Sequence, residues 1–482
     1  MIKRLTIATL LIMVFSSSAF ATDFKVNGVY TAWAQSQHAF TLTDAVYDHN
    51  YVVQMLRFNL QGIANENLKF VTRFDIAQGW WGVDNALKSA IRTGTGGGSA
   101  LFDFKDTNFL FHVDQAYVDF NVPNKPINVR VGRMWYGLGN KIMIDNNYDG
   151  IQVKLFGDLS LGWAKVSEGA DNTTDSFDAE LNIDNRDADL FLGSYKGKTG
   201  DFSYDAFGFY YKDKGIEDGK AYVHDNFQFF KTRFSPQVTQ LSAIGLTGSY
   251  KIGKLTIDGE FNYLTGKDEI DNETYAGTKP DSYDLNDGTI SGYNVYAKLN
   301  YAKCDAMKLG AVFGLGSGDS DLTGGAGNVN KLRTSGFFYI TEIWEDSIMP
   351  DEEGITPQGL GAPNVRAYRE LENTTIVQVN GTFKPMDKTS LFLSGSYILA
   401  SQPIAAWSNP DGAGVVIDNN TTSKDIGMEV DFNLTYSMYK QMKLIFRGGY
   451  FMPGDAAGYL IKGNATDLIP AWELKGMVLL KF

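Results

Sequence analysis

The sequence predicts an all-β fold, a transmembrane antiparallel up-and-down β-barrel of about 18 strands. Three observations predict it: a two-residue hydrophobic period, aromatic residues at the ends of the alternating segments, and a regular succession of short polar turns and longer polar stretches. We therefore expect short turns at one end of the barrel and long loops at the other.

The two-residue period is clearest in residues 255–263, where apolar and polar side chains alternate without a break. The same division recurs in residues 68–76, 293–301 and 428–436. Because successive side chains of a strand point to opposite faces, each segment would have one apolar and one polar face. A soluble β-sandwich also alternates, so the period alone leaves two classes of fold open.

Segment length and aromatic residues favour a membrane barrel over a sandwich. The alternating segments run for about 10 to 14 residues, long enough for a tilted strand to cross a bilayer. The last segment ends in Phe482, which resembles the assembly signal of outer-membrane barrels, so we expect recognition by the barrel-assembly machinery. Tyrosines that would form an interfacial girdle end many apolar rows: Tyr250, Tyr263, Tyr301, Tyr397, Tyr436 and Tyr450.

Turns and loops give the strand count. Eight hairpins, a first strand near residues 24–35 and a last strand near 471–482 make eighteen, an even number as expected for a single-chain barrel. A further strand-like run at 336–343 would spoil this parity, so we assign it to a long external loop, 318–369, folded over or into the pore. Short periplasmic turns are expected at 64–67, 123–126, 157–158, 197–200, 252–254, 303–306, 385–388 and 439–441. The other external loops are expected near 37–48, 80–107, 136–148, 169–186, 213–235, 267–289, 402–423 and 454–469.

The first 21 residues have the three zones of a secretory signal peptide. Lys3 and Arg4 precede an apolar stretch at 5–15, and small residues follow before position 22. A helical membrane anchor would need roughly 20 apolar residues, about twice what this stretch offers. We expect a signal peptide at 1–21 and a single barrel domain at 22–482. The expected location is the outer membrane of a Gram-negative cell, in contact with lipid and lipopolysaccharide.

Composition argues against several classes of function. The single cysteine, Cys304, excludes an intramolecular disulfide, a cysteine zinc site and a CxxCH haem attachment, and we expect no cofactor. A formal net charge of −13 argues against nucleic-acid binding. His112 near Asp114 is a candidate base–acid pair, but no serine is tied to it, so we do not expect an enzyme. Asp319 and Asp321 are a weak calcium candidate, and a flexible acidic loop is the favoured interpretation.

Charged residues at the polar phase of the strands indicate an aqueous interior. An arginine or lysine facing lipid at mid-bilayer would cost about 2 to 4 kcal/mol, so these side chains are expected to point inward. An eighteen-strand barrel is wide enough for a water-filled channel. We therefore predict passage of small polar solutes or ions, through a monomer or a trimer. The candidate pore-lining residues are Arg57, Lys69, Arg73, Asp75, Asp119, Arg130, Arg133, Lys298, Glu429, Asp431, Lys443 and Arg447.

Two stretches resemble the alginate-export-type family of outer-membrane barrels. Residues 129–139 (VRVGRMWYGLG) and 145–151 (DNNYDGI) follow the order of that family's GR strand, Gly-rich turn and DG strand start. The resemblance implies a barrel of about 18 strands and places Arg130 and Arg133 near the channel. Their odd spacing puts them on opposite faces of a regular strand, so either a bulge at Gly132 turns Arg133 inward or one of the two sits at the rim.

The Gly-Asp strand ends at 316–319 and 452–455 are similar to strand ends of the same family. Alginate itself fits poorly as cargo, because a polyanion would require a strongly basic constriction and the loops of this chain are acidic. Three functions stay open: a porin for small polar solutes, a polysaccharide-export or substrate-specific pore, and the barrel sheath of a porin–cytochrome electron conduit.

Overall fold

The computed structural model describes residues 23–43, 49–81, 112–167, 187–213, 237–270, 288–318, 320, 338–345, 371–408 and 416–482. Within these ranges the chain forms eighteen strands and one helix. The predicted signal peptide at 1–21 and the calcium candidates Asp319 and Asp321 lie outside the described residues. The strands are β1 (Asp23–His38), β2 (His49–Asn65), β3 (Leu68–Trp80), β4 (His112–Asn121), β5 (Ile127–Leu138), β6 (Ile144–Leu155), β7 (Leu159–Ser167), β8 (Ala188–Thr199), β9 (Phe202–Asp213), β10 (Gln237–Ile252), β11 (Leu255–Ile270), β12 (Gly288–Cys304), β13 (Met307–Gly316), β14 (Thr374–Met386), β15 (Thr389–Ser408), β16 (Val416–Ser437), β17 (Met442–Pro453) and β18 (Ala471–Lys481).

The strands close into a barrel. Each strand pairs antiparallel with its neighbours in the chain, and β1 also pairs with β18. At that seam Tyr30 lies opposite Leu480, and Gln35 lies opposite Lys475. Every described strand therefore has a partner on both sides, and the barrel presents no open edge among them. The predicted fold class and the count of eighteen strands are confirmed.

Short turns connect the strands at one end of the barrel, which we call the short-turn end, and they lie where the sequence predicts them. The β4–β5 turn spans residues 122–126, and the β6–β7 turn spans 156–158. Asn124 and Gly157 adopt positive φ angles of 60° and 86° in these turns. Asn and Gly tolerate such angles best, which explains their place at the tips.

The opposite end, which we call the long-loop end, differs from the prediction because some strands continue past the expected boundaries. The β5–β6 connection is residues 139–143 and not 136–148, and the β15–β16 connection is 409–415 and not 402–423. Pairing with the neighbouring strand satisfies the backbone in these stretches. Their apolar side chains, such as Leu138, Ile144 and Ile404, are buried in the interior, so they do not extend the outward apolar rows from which the strand ends are predicted.

A helix that was not predicted, α1 (Asp455–Lys462), follows β17. Asp455 in its first turn and Lys462 in its last turn complement the helix dipole. Gly463 ends the helix with a φ of 81°, and its N–H donates to the carbonyl of Tyr459. Eight residues are too short a stretch for a clear helical period, which explains why the pattern was missed. Among the described residues, no helix combines the length and apolarity needed to cross a membrane.

The wall has an apolar outer face and a more polar inner face. On β16, Met428 and Val430 are exposed, whereas Glu429 between them is fully buried. The outer face carries exposed apolar side chains on most strands, as a surface in contact with lipid requires. All the tyrosines predicted for the girdle are exposed: Tyr250, Tyr263, Tyr301, Tyr397, Tyr436 and Tyr450.

Two apolar clusters lie on inner faces at the long-loop end. One joins the end of β5 and the start of β6 to β7–β12, and Asn140 of their connection donates from its backbone N–H to Glu260 on β11. The other joins residues 338–345, which we call the inner segment, and α1 to the inner faces of β14–β17. Residues 338–343 of the run that looked strand-like form no strand. Both clusters reduce the open cross-section of the barrel at this end.

Candidate functional site

The inner faces of β2–β5 carry a network of ion pairs, which we call the arginine wall. Arg57 on β2 forms a bidentate pair with Asp75 on β3, with Nε–Oδ1 and Nη2–Oδ2 distances of 2.7 Å. Its Nη2 also lies 3.4 Å from Oδ2 of Asp114 on β4, an oxygen that Arg73 on β3 contacts too. The side chains of Arg57 and Arg73 are 30% and 23% exposed, so their charges are still accessible from the interior.

Asp114 joins this network because β4 is irregular. The register against β3 shifts at Asp114, between Val113 and Gln115. Such an extra residue turns two successive side chains toward the same face. Asp114 and Gln115 are both buried, whereas Val113 is exposed. Strict alternation cannot reveal this, and Asp114 is not among the pore-lining residues that the sequence predicts.

Only one member of the candidate base–acid pair of His112 and Asp114 has a described side chain. The side chain of His112 lies outside the described residues. Besides the two arginines, Asp114 accepts a hydrogen bond at 2.7 Å from Nδ2 of Asn147. Across the described part of the chain, no group of three or more His, Cys, Asp or Glu side chains is placed to hold a metal ion.

A second group of charges surrounds Asp119, nearer the short-turn end of the arginine wall. Oδ2 of Asp119 lies 3.0 Å from Nε of Arg130 and 3.4 Å from Nζ of Lys69. Oδ1 accepts a hydrogen bond of 2.7 Å from Nδ2 of Asn128. Together with Lys154, these side chains line a cavity of about 570 Å³. Four of the predicted pore-lining cations are thus paired with aspartates: Arg57 with Asp75, Arg73 with Asp114, and Lys69 and Arg130 with Asp119.

Arg133 does not share the inner face with Arg130. The register of β5 runs through Gly132 without a shift against either β4 or β6, so the predicted bulge is absent from these strands. Arg133 therefore lies in phase with Val131, which is exposed on the outer face. Its Nη1 lies 3.4 Å from Oδ2 of Asp149, whose side chain is 67% exposed. This outward phase differs from the predicted pore-lining position, and it leaves the alternative that Arg133 sits at the rim.

The inner faces of β14–β18 form a different surface, which we call the covered wall because the inner segment lies on it. Glu429 accepts hydrogen bonds from the backbone N–H groups of residues 343–344. Glu342 of the inner segment lies 3.1 Å from Nε of Arg447 and 3.5 Å from Nζ of Lys475. The predicted wall residues Glu429 and Arg447 therefore contact a loop segment and not one another.

Buried charges continue from this wall across the barrel seam. Lys475 Nζ lies 2.6 Å from Oε1 of Glu473 on β18. Gln35 and Gln37 of β1 donate to Oε2 of the same carboxylate at 2.5 and 2.8 Å. Asp431 is also buried on this wall. The sequence pattern puts Glu473 and Lys475 on the polar face of the last strand but does not identify them as site residues.

Lys298 lies on neither wall, whereas Lys443 lies at the short-turn end of the covered wall. Lys298 on β12 lies opposite Asp258 on β11 and alternates with the exposed Leu299. Lys443 occupies the start of β17, in phase with Arg447. Both therefore have the inward phase that the sequence predicts for them.

Glu345 holds the inner segment in a compact turn. Its Oε2 accepts hydrogen bonds from the backbone N–H of Ile340 at 2.7 Å and of Thr341 at 3.1 Å. Burial raises the pKa of Glu345 to about 7, and the hydrogen bonds offset only part of that effect. Since both N–H groups reach the same oxygen, protonation of the other oxygen would leave them in place.

Comparisons with known proteins bear on the fold alone. No family model matches the chain, and no curated protein matches it by sequence. The resemblance to the alginate-export-type family therefore stays a prediction. Among solved structures, a BenF-like porin from Pseudomonas fluorescens Pf-5 is similar with a TM-score of 0.51 and 11% identity, over 96% of this chain and 100% of that one.

Two proteins of Pseudomonas aeruginosa show the same similarity of fold. OccK2 (OpdF) has a TM-score of 0.50 and 10% identity, over 96% of this chain and 98% of that one. The outer-membrane protein opdK has a TM-score of 0.50 and 9% identity, over 96% and 100%. The chain accordingly has the barrel fold of outer-membrane porins, and each of these matches covers 96% of its length.

Proposed function

We propose that the protein is a channel of the Gram-negative outer membrane that passes small polar solutes and ions. The observation that carries this proposal is a closed barrel of eighteen strands whose outer face is apolar and whose inner face presents partly exposed charges. An interior of this width holds water unless loops fill it. Its role is transport and not catalysis.

The difference between the short-turn end and the long-loop end supports a specific orientation of the barrel in the membrane. In barrels of this class the short turns face the periplasm and the long loops face the outside. The exposed tyrosines and the apolar outer rows would then contact the lipid, and the long-loop end would lie beside lipopolysaccharide. A signal peptide at 1–21 would direct the chain to this membrane.

The two walls suggest where solutes pass. The inner segment and α1 occupy the side of β14–β17, and the β5–β6 connection occupies the side of β7–β12. The arginine wall has side chains that stay partly exposed, Lys69 and Arg130 among them at 39% and 41%. We place the aqueous path along this wall. Because its arginines and lysines are matched with aspartates, the ion preference is weak to moderate.

Conductance across a planar bilayer tests the proposal. Purified protein is expected to give discrete openings at low voltage, with a small reversal potential in a salt gradient. A refolding mixture without protein is the control. Insertion verified by protease protection, together with a silent bilayer at every voltage, would overturn the channel function.

Export of an acidic polysaccharide, which the family resemblance implies, is the second candidate. Arg57 and Arg130 on the solute path would attract a polyanion, and this supports the second candidate. Their pairing with Asp75 and Asp119 weakens the attraction, so small solutes remain our first choice. Block of the ionic current by micromolar alginate oligomers, without block by a neutral glucan, would favour the export pore.

A further inference from the structure

Glu429 occupies an unusual position on the covered wall. It is fully buried, yet it lies on a strand whose adjacent positions, Met428 and Val430, face outward and are exposed. Its Oε1 accepts the backbone N–H of Ile343 at 2.6 Å, and its Oε2 accepts that of Trp344 at 2.9 Å. Each carboxylate oxygen is thus matched with one donor of the inner segment.

The neighbouring carboxylate extends this match. The backbone N–H of Glu342 donates to Asp431, two positions along the same strand from Glu429. Three successive N–H groups, those of residues 342–344, are therefore directed at two wall carboxylates. Successive backbone N–H groups pointing one way form a concave anion-binding surface. Here the anions belong to the wall itself.

A buried carboxylate is costly unless hydrogen bonds replace its water. The backbone N–H groups of residues 343–344 supply these hydrogen bonds to Glu429. Loss of one donor would leave Glu429 partly unsatisfied, so the inner segment and the carboxylate depend on each other.

Other contacts orient the inner segment but do not replace this one. Trp344 stacks on Phe451 of β17 with ring centroids 5.2 Å apart. Nε2 of Gln378 on β14 donates to the carbonyl of Ile340 at 3.0 Å. The first of these contacts is made by a side chain and the second by a carbonyl, whereas Glu429 accepts from the backbone N–H groups of residues 343–344.

We infer that Glu429 is the positioning residue that holds residues 338–345 inside the barrel and thereby sets the width of the channel. This inference rests on the proposed channel function for its consequence in transport. The docking itself is a property of the structure and can be measured without conductance.

The first experiment compares Glu429→Gln with Asp258→Asn. Glutamine keeps the volume but replaces one acceptor by a donor that faces the N–H of residue 343 or 344. Asp258 is a wall carboxylate of β11 that accepts a hydrogen bond from Ser249 and none of the described backbone hydrogen bonds of the inner segment, so its amide is a matched control. Because conductance rises with open cross-section, Glu429→Gln is expected to raise it about twofold, with frequent transitions between levels. The control should keep a steady level.

The second experiment measures docking directly. A Cβ at position 449 would lie 2.8 Å from Cγ1 of Ile343, close enough for a disulfide between cysteines at these two positions, but it would also displace Oδ1 of Asp431. All cross-linking rates are therefore compared within the same Gly449→Cys background. With Cys304 replaced by serine, Ile343→Cys and Gly449→Cys are expected to cross-link quickly under oxygen with copper phenanthroline, which accepts the two electrons that the thiols lose. Adding Glu429→Gln should slow this cross-linking several-fold. Once formed, the disulfide should restore a steady conductance to the Glu429→Gln channel, and a reductant should abolish the rescue.

The outcomes separate the two claims. Equal cross-linking rates with and without the Glu429→Gln substitution, or unchanged conductance in Glu429→Gln, would overturn the positioning role. Slowed cross-linking in a protein that never conducts would uphold that role and overturn the proposed channel. Heat-modifiable electrophoretic migration verifies that each variant is a folded barrel, and Glu429→Asp provides a second, milder variant of intermediate effect.

Discussion

On the arginine wall, charged side chains of neighbouring strands pair with each other. Arg57, Arg73 and Asp75 belong to adjacent strands, and the arginines stay partly exposed to the interior. On the covered wall, Glu429 and Arg447 instead contact the inner segment, and Glu429 has no exposed surface. The same alternation of apolar and charged positions thus produces a surface for solutes in one region and a docking surface for a loop in the other.

The difference teaches that an inward phase does not by itself make a residue accessible to solute. Strand alternation determines the face on which a side chain lies. Whether that side chain then meets water depends on what else enters the barrel. The two walls should therefore respond differently to substitution.

The largest expected effect on stability is from Arg57→Ala on the arginine wall. It would leave Asp75, with 2% of its side chain exposed, without its bidentate partner. Removing one member of a buried pair costs several kcal/mol, and partial exposure of Arg57 reduces this to about 1 to 3 kcal/mol. Urea unfolding of the barrel in lipid measures the loss.

Lys196→Ala is the matched control, because Lys196 is 72% exposed and lies 3.8 Å from Asp205. A pair of this kind contributes about 0.5 kcal/mol or less. If both variants lose the same stability, the arginine wall is not a buried network in the folded barrel.

Asp114→Asn is expected to change ion preference more than stability. It removes one negative charge between Arg57 and Arg73 and keeps the side-chain volume, so the path becomes more attractive to anions. The reversal potential in a potassium chloride gradient should shift toward that of chloride. Arg73→Gln should shift it in the opposite direction. A shift of the same sign in both variants would place the path elsewhere in the barrel.

The smallest expected effect concerns pH and the covered wall. The folded protein raises the pKa of Glu345 from an ordinary value of 4.5 to about 7. A raised pKa means that the folded state binds the proton more tightly, so this contribution to docking is fully present below pH 4.5 and is lost as the pH rises through about 7. Current noise should therefore be greater at pH 8 than at pH 5.

Glu345→Gln isolates this effect. Its amide oxygen can accept the same hydrogen bonds and carries no charge, so the noise should be low and independent of pH between 5 and 8. Noise that grows toward acidic pH in the unsubstituted protein would contradict the sign of the prediction.

Alternation predicts the face of most wall residues because it depends only on local geometry. The inward phase of Glu429 and the outward phase of Met428 follow from a period of two. Alternation does not predict which residues an inward side chain contacts. Glu429 contacts residues 85 and 86 positions away in the chain, and nothing in either stretch specifies the other.

Local irregularities explain the remaining differences. Asp114 changes face through one extra residue in β4, and such a residue has no sequence signature of its own. Arg133 was placed inside on the assumption of a bulge that its strand does not contain. α1 stays below the length at which a helical period can be recognised.

The seam between β1 and β18 has a consequence for how the barrel is made. Gln35 and Glu473 meet across it although 438 positions separate them in the chain. Contacts between such distant residues form slowly, because the entropy of closing the loop must be overcome first. Until then β1 and β18 are both sheet edges with unpaired backbone groups, open to pairing with other chains. A barrel with one seam of this kind needs protection during a single late step of its assembly, and any factor that aligned these two strands would act on the slowest part of folding.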